Sequence, residues 1–155
     1  MSTILLSTDG SDLATAAMVR GVDLLGREHR FLALSVVAPA FAAAAAVSPM
    51  DTHPTIVDPV LEESIEAHDR AESSEELAAL AEVLEVPIEP LVEVGEPGPT
   101  ICEVAARTGA DLIVMGSHGH GWLQRVLMGS VSTHVLHHAP CPVLVVRLEE
   151  AAPGS

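Results

Sequence analysis

The residues of this chain best suited to chemistry are glycines and hydroxyls that follow an apolar run. Residues 111–132 read DLIVMGSHGHGWLQRVLMGSVS. Gly116, Gly119 and Gly121 lack a Cβ, so the backbone there can bend sharply and bring its N–H groups close to an anion. Residues 129–132 stand where a helix should begin, and a helix start offers free N–H groups and a positive dipole end. The segment therefore predicts a phosphate-binding site that needs no lysine.

Other phosphate and nucleophile motifs do not fit this segment. A GxGxxG dinucleotide motif fails because Gln124 stands where the third glycine is required. A Walker A loop fails because the chain has no lysine, and a GxSxG nucleophile elbow is absent. We therefore predict no catalytic residue. A glycine-rich turn followed by a serine-capped helix, with no ligand at all, stays open as the alternative.

The histidines form two spaced pairs. His118 and His120 lie between the glycines, and His134 and His138 stand four residues apart. An i, i+4 pair on a helix can ligate a metal ion, but no nearby cysteine completes a set of ligands. His118 and His120 could instead donate to phosphate. No metal ligand is assigned from the sequence.

The charge of the chain is strongly negative. Seven basic residues, all arginine, stand against 22 acidic ones, giving a formal charge of −15. This balance argues against nucleic acid and anionic lipid as partners, which both need a basic face. Residues 58–96 hold 13 of the acids and one arginine, whereas the glycine segment is nearly neutral. The charge therefore does not argue against a nucleotide.

Nothing in the chain predicts a membrane segment or a secretory signal. No apolar stretch approaches the roughly 20 residues that a spanning helix needs. The first ten residues carry no basic region and only a short apolar run. We expect a soluble, cytoplasmic protein.

Five short apolar runs alternate with helical patterns. The runs rich in Val, Ile and Leu are residues 4–7, 31–37, 88–94, 111–115 and 143–146. The helical patterns are residues 11–26, 59–85, 100–108 and 130–138. For the first helix we expect an apolar face of Leu13, Ala16, Ala17, Leu24 and Leu25, and for the second one of Leu61, Ile65, Leu77, Leu80, Ala81 and Leu84. This alternation predicts an α/β fold whose parallel sheet is covered by helices on both faces. Ligands of such sheets bind beyond the carboxyl ends of the strands.

The glycine spacing resembles a family signature. The pattern Gly116-x2-Gly119-x9-Gly129-Ser130 is similar to G-x2-G-x9-G-[S/T], the ATP-binding signature of universal stress proteins. The resemblance extends to residues 4–11 (ILLSTDGS), 110–119 (ADLIVMGSHG) and 138–147 (HAPCPVLVVR), so it covers almost the whole chain. It implies a flavodoxin-like, or Rossmann-like, three-layer sandwich with strand order 3-2-1-4-5.

The resemblance also implies the site residues. ATP would lie where the strand order switches. Asp9 would lie near the ribose and phosphates, with Mg²⁺ or Mn²⁺ as a candidate metal ion. The remaining implied contacts come from strand ends and from the glycine segment: Val36 for adenine, Met115 and Gly116 at the end of the fourth strand, and Gly119, Gly129, Ser130, Val131 and Ser132 for phosphates and ribose.

The function implied by the resemblance is that of a nucleotide-dependent sensor or regulator in the stress response. A homodimer through residues 143–146 and an unidentified regulatory protein partner are implied with it. Two alternatives stay open, a ligand-free dimeric interaction module and a slow ATPase or self-phosphorylating enzyme. We expect one domain over residues 1–148, a flexible loop at 38–57 and a disordered tail at 149–155.

Overall fold

A computed structural model describes residues 1–40, 58–117 and 129–148 of the chain. In chain order these residues form β1 (Thr3–Thr8), α1 (Asp12–Leu25), β2 (Arg30–Val37), α2 (Pro59–Leu84), β3 (Ile88–Val94), α3 (Pro97–Thr108), β4 (Leu112–Gly116), α4 (Ser130–His138) and β5 (Val143–Val146). The predicted tail and most of the predicted loop at 38–57 lie outside the described residues, and so do Gly119, His118 and His120.

The five strands form one parallel sheet in the order β3-β2-β1-β4-β5. This confirms the predicted fold class and strand order. The chain moves outward from β1 to β2 and β3, then returns to add β4 and β5 on the other side of β1. The order therefore switches beside β1, and sheets of this kind bind their ligands at the carboxyl edge next to such a switch.

Helices cover both faces of the sheet. Side chains of α1 and α2 pack with Ile4 and Leu6 of β1 on one face. Side chains of α3 and α4 pack with Leu5 of β1 on the other face. Successive residues of a strand point to opposite faces, so one strand supplies both cores. This explains why β1, β2 and β4 are nearly continuous in apolar residues.

Local signals place most helix ends. The Ser11 hydroxyl caps α1 by accepting from the Ala14 N–H at 3.1 Å, and Gly26 ends the helix with a φ of +89°. The prediction for α3 was wrong at its start. That helix begins at Pro97, three residues before Thr100, because proline is tolerated in the first turn, where N–H groups have no helical partner.

The predicted apolar faces of α1 and α2 were partly wrong. Leu13 and Leu24 are both 58% exposed, and α1 instead buries a face made of Ala14, Ala17, Met18, Gly21 and Val22. On α2, Leu61 is 55% and Ile65 is 39% exposed, and fully buried residues begin only at Ser73. Twenty-six helical residues span about 39 Å, against about 26 Å for an eight-residue strand, so the amino-terminal half of α2 extends past the sheet. No helix in the described ranges is long and apolar enough to cross a membrane.

Candidate functional site

The strand register brings the predicted site residues to one edge of the sheet. Thr8 of β1 pairs with Ser35 of β2, and Ser7 pairs with Met115 of β4. The next residues therefore lie side by side at the carboxyl edge. Asp9 follows the last residue of β1, whereas Val36 and Gly116 are still paired, with Glu93 of β3 and Val146 of β5.

A hydrogen-bonded turn follows β1. The Asp9 carboxylate accepts from the Ser11 N–H at 3.0 Å and from the Ser11 hydroxyl at 2.6 Å. The Gly10 N–H donates to the Thr8 hydroxyl at 3.1 Å. Because Ser11 also caps α1, one serine ties the Asp9 carboxylate to the start of that helix. The turn thus holds Asp9 in place at the carboxyl edge.

Gly10 is glycine for two reasons. Its φ is +78°, a left-handed conformation that side chains disfavour. The carboxylate of Glu76, on α2, also occupies the place that a Cβ at residue 10 would take. The packing therefore sets a second carboxylate against the turn that carries Asp9.

The exit of β4 is tied to the start of α4. The Ser117 N–H donates to the Val146 carbonyl at 3.1 Å, and the Ser117 carbonyl accepts from the Gly129 N–H at 3.2 Å. The buried Ser132 hydroxyl donates to the Gly116 carbonyl at 3.1 Å. These bonds fix the first turn of α4 directly beside the end of β4.

The amino end of α4 offers backbone donors. The first N–H groups of a helix have no partner within the helix, and in the described part of the chain no side chain caps α4. Gly129 has φ −71° and ψ 164°, which any residue can adopt. A Cβ there would lie 3.9 Å from the Ser117 carbonyl oxygen, an ordinary contact. Neither strain nor packing among the described residues requires glycine at 129, and its bare backbone leaves the helix start open to an anion.

The two predicted serines of α4 differ in their surroundings. Ser130 is exposed at the first helical position, where its hydroxyl can reach a ligand. Ser132 is only 3% exposed, and its hydroxyl proton is engaged by Gly116. Ser132 therefore positions the helix in this structure. Val131, between them, packs partly against the core.

Sequence reasoning missed two contacts that α2 makes near this edge. Glu76 contacts the Gly10 turn, and the Ser73 hydroxyl accepts from the buried Ser35 hydroxyl at 3.2 Å. Both pairs join residues far apart in sequence, so no local spacing could indicate them. The one available signal was Ser35, a polar residue that follows four apolar residues in β2.

The described residues offer few ready metal ligands at this edge. No group of three or more His, Cys, Asp or Glu side chains within residues 1–40, 58–117 and 129–148 is arranged to hold a metal ion. Asp9 and Glu76 are the two carboxylates at the β1 turn. A cation held there would need further ligands from a bound molecule or from water.

Comparison with known proteins agrees with this architecture. The model of the universal stress protein family matches residues 1–147. A universal stress protein of Thermus aquaticus is 36% identical over 148 residues, which cover 94% of this chain and 98% of that protein. A shorter match, 48% identical over 56 residues, covers 36% of this chain and 36% of a universal stress protein of Synechocystis.

Solved structures share the fold. Universal stress protein UspA from Lactobacillus plantarum has a TM-score of 0.70 and 30% identity, covering 94% of this chain and 97% of its own. An Arabidopsis thaliana family protein with AMP bound has a TM-score of 0.62 and 16% identity, covering 100% and 99%. A universal stress protein in complex with cAMP has a TM-score of 0.63 and 22% identity, covering 96% and 98%. The last two likenesses bear on the fold alone.

Proposed function

The chain belongs to the universal stress protein family, and we propose that it binds an adenine nucleotide, ATP in the first place, at the carboxyl edge of its sheet. The observation that carries the proposal is the start of α4, where no side chain of the described residues caps the helix and Gly129 has no steric need among them to be glycine. Proteins of the same fold are solved with AMP or cAMP bound, so this fold can accommodate an adenine nucleotide.

The roles follow from position. Backbone N–H groups of Ser130 and Val131, with the Ser130 hydroxyl, would hold phosphate oxygens. The backbone of Gly119 would also contact the phosphates. The backbone of Val36, near the end of β2, would contact adenine. Met115, next to Gly116 at the end of β4, would lie beneath the bound nucleotide. Ser132 would act through its bond to Gly116, keeping the helix start in place.

Charge favours a cation at the site. Asp9 and Glu76 place two carboxylates beside the turn after β1, and the chain has no lysine. A nucleotide phosphate beside them would be repelled unless a positive ion lay between. We therefore propose that Mg²⁺ or Mn²⁺ accompanies ATP, bound by Asp9 and by the phosphates.

The protein is proposed to act as a nucleotide-dependent regulator in the stress response, in the cytoplasm. Backbone donors and hydroxyls favour binding, whereas fast phosphate transfer needs a positioned base and charge stabilisation in the transition state. Hydrolysis, where it occurs, would be slow. Binding of a regulatory protein partner would depend on whether the nucleotide is bound.

A second observation favours a homodimer through β5. Pro142 and Val146 direct their carbonyl groups to N–H groups of Ile113 and Ser117. In a parallel pair the bonding direction alternates, so the N–H and carbonyl of Val145 face the open edge. The side chains of this strand are apolar and mostly half-buried. Pairing with a second copy would cover an edge that is unpaired in the described part of the chain.

The test of nucleotide binding uses Gly129→Asp. Aspartate suits the φ and ψ of this position, so its carboxylate would cap α4 and leave stability unchanged or higher by up to about 1 kcal/mol. The same carboxylate would occupy the donors and repel phosphate. Each lost charge-assisted hydrogen bond costs about 1.5–3 kcal/mol, so ATP affinity should fall by about tenfold or more.

Calorimetric titrations with ATP, AMP and cAMP, each with and without Mg²⁺, measure the affinities. Ala106→Asp is the matched control, because it adds the same charge on the exposed face of α3 and should leave binding unchanged. No heat and no thermal shift with any nucleotide would overturn the proposal. Wild-type affinity in Gly129→Asp would show that the site lies elsewhere.

A further inference from the structure

The carboxyl-terminal half of α4 carries a stacked pair of imidazoles that the nucleotide site does not use. His134 and His138 are four residues apart on this helix, with His138 at its last position. We propose that this pair binds a divalent transition-metal ion of the Cu²⁺, Ni²⁺ and Zn²⁺ class. The site lies at the opposite end of α4 from the proposed phosphate-binding turn.

The spacing of the two rings suits chelation. Their centroids are 4.2 Å apart and their planes differ by 19°, so the rings stack on one face of the helix. Metal–nitrogen distances of about 2.0–2.1 Å place two nitrogens on one ion about 3 Å apart, and each nitrogen must point its in-plane lone pair at the ion. Stacked rings hold these lone pairs parallel, so the exposed His138 ring must tilt out of the stack when the metal binds.

A hydrogen bond prepares His138 as a ligand. Its Nδ1 lies 2.9 Å from the His134 carbonyl oxygen. A carbonyl oxygen only accepts, so Nδ1 carries the proton and donates it. The lone pair of neutral His138 therefore lies on Nε2, the nitrogen that is left for a metal ion. Ligating histidines in metal sites are oriented by the same kind of bond from the other ring nitrogen.

Packing holds the second ring. The His134 ring is half-buried, and it lies where α4 crosses α3. A Cβ at Gly98 would lie 2.8 Å from two ring atoms of His134, closer than real contacts allow. Gly98 therefore makes room for the ring and limits its movement. A ligand fixed in this way loses little entropy when the metal binds.

The surroundings select the class of ion. Imidazole nitrogens suit Zn²⁺, Cu²⁺ and Ni²⁺, whereas Mg²⁺ prefers oxygen ligands. The carboxyl end of a helix is the negative end of its dipole, which favours a cation beside His138. Since the described residues hold no group of three side chains arranged to bind a metal ion, water would complete the coordination. Such a site exchanges its metal readily.

The test titrates the metal-free full chain with CuCl₂, NiCl₂ or ZnCl₂ alone and measures heat and stoichiometry. We expect one ion per chain at this site, and at least about tenfold weaker binding in His134→Gln and in His138→Gln. His137→Gln is the matched control, because that ring is 6.4 Å from His138 and tilted by 64°, outside the stacked pair. It should bind as the wild type does.

A double variant, His118→Gln with His120→Gln, tests the other histidine pair. If it loses the ion while His134→Gln keeps it, the proposal is overturned. Circular dichroism checks that each variant folds. Gly98→Ala supplies an independent test, since it should weaken metal binding while both ligands remain. Nitrogen-detected NMR should find the His138 proton on Nδ1 and a metal-induced shift at Nε2, and a proton on Nε2 would contradict the assignment.

Discussion

The Ser132 hydroxyl lies 3.1 Å from the carbonyl oxygen of Gly116 and donates a hydrogen bond to it. The bond joins the third residue of α4 to the last residue of β4. A hydroxyl expected to contact a nucleotide thus ties the helix start to the strand end. The precision of the proposed phosphate site depends on this connection, because the backbone donors of α4 move with the helix.

Ser132→Ala tests that connection. The change removes a buried donor and takes one hydrogen bond from the Gly116 carbonyl, so the free energy of unfolding should fall by about 1 kcal/mol. ATP affinity should also fall, because α4 is then less well held. Urea denaturation and calorimetry measure the two effects. Ser130→Ala, at an exposed position, should change stability by less than about 0.5 kcal/mol. Equal losses of unfolding free energy in Ser132→Ala and Ser130→Ala would count against the hydrogen bond between Ser132 and Gly116.

Gly10→Ala and Gly109→Ala separate strain from crowding. Both residues have positive φ, +78° and +65°, so both changes should cost about 1–2 kcal/mol of backbone strain. At Gly109 no atom lies within 4 Å of an added Cβ, whereas at Gly10 the Glu76 carboxylate stands in its place. Gly10→Ala should therefore be the more destabilising change in urea denaturation. In a double-mutant cycle, Glu76→Ala should remove the extra destabilisation caused by Gly10→Ala. If the two changes are simply additive, Glu76 does not contact the Gly10 turn.

Val145→Pro tests the proposed dimer. Proline removes an N–H that faces the open edge of β5 and leaves the bonds between β5 and β4 intact. Light scattering after gel filtration should give about twice 16.1 kDa for the wild type and about 16.1 kDa for the variant. Val145→Thr keeps the N–H and should remain dimeric. A wild-type mass of 16.1 kDa would exclude this interface.

The two thiols should react slowly in the folded protein. Burial raises the pKa of Cys102, and burial followed by the Asp111 carboxylate raises the pKa of Cys141. Reaction with a disulfide reagent should therefore need a higher pH in the native state than in urea, since the thiolate is the reacting form. In a Cys102→Ser background, Asp111→Asn should speed the reaction of Cys141. An unchanged rate would rule out the carboxylate as a cause.

The same shifts give stability a pH dependence of known sign. A raised thiol pKa means that the folded state holds the proton more tightly than the unfolded state does. The contribution is complete below the ordinary value of 9.0 and is lost as the pH rises above it. Replacing both cysteines with serine should flatten the fall in the free energy of unfolding above that pH.

Local signals carried most of the fold. The bounds of β3, β5 and α4 follow directly from apolar runs, a glycine and a proline. The glycine and serine spacing also located the start of α4. By contrast, the predicted helix at 100–108 left out Pro97, which the first turn of α3 tolerates because an N–H there would have no helical partner. Leu61 and Ile65 follow the helical spacing of apolar residues, but they lie on the part of α2 that extends past the sheet and are exposed.

Contacts between distant segments could not be predicted. The place of Glu76 against Gly10, and of the His134 ring against Gly98, depends on how helices cross. A single sequence carries no record of such crossings. The hydrogen bond of Ser132 could not be predicted for the same reason, since its acceptor is a backbone carbonyl that sequence does not display.

The overhang of α2 has a consequence for amide hydrogen exchange. Buried side chains anchor this helix only from Ser73 onward, while residues 59–72 carry exposed apolar groups and closely spaced carboxylates. Little free energy opposes local opening of those turns. Their amides should exchange long before those near Leu77 and Leu80, which are released only by opening of the core. One continuous helix would then contain two separate units of unfolding.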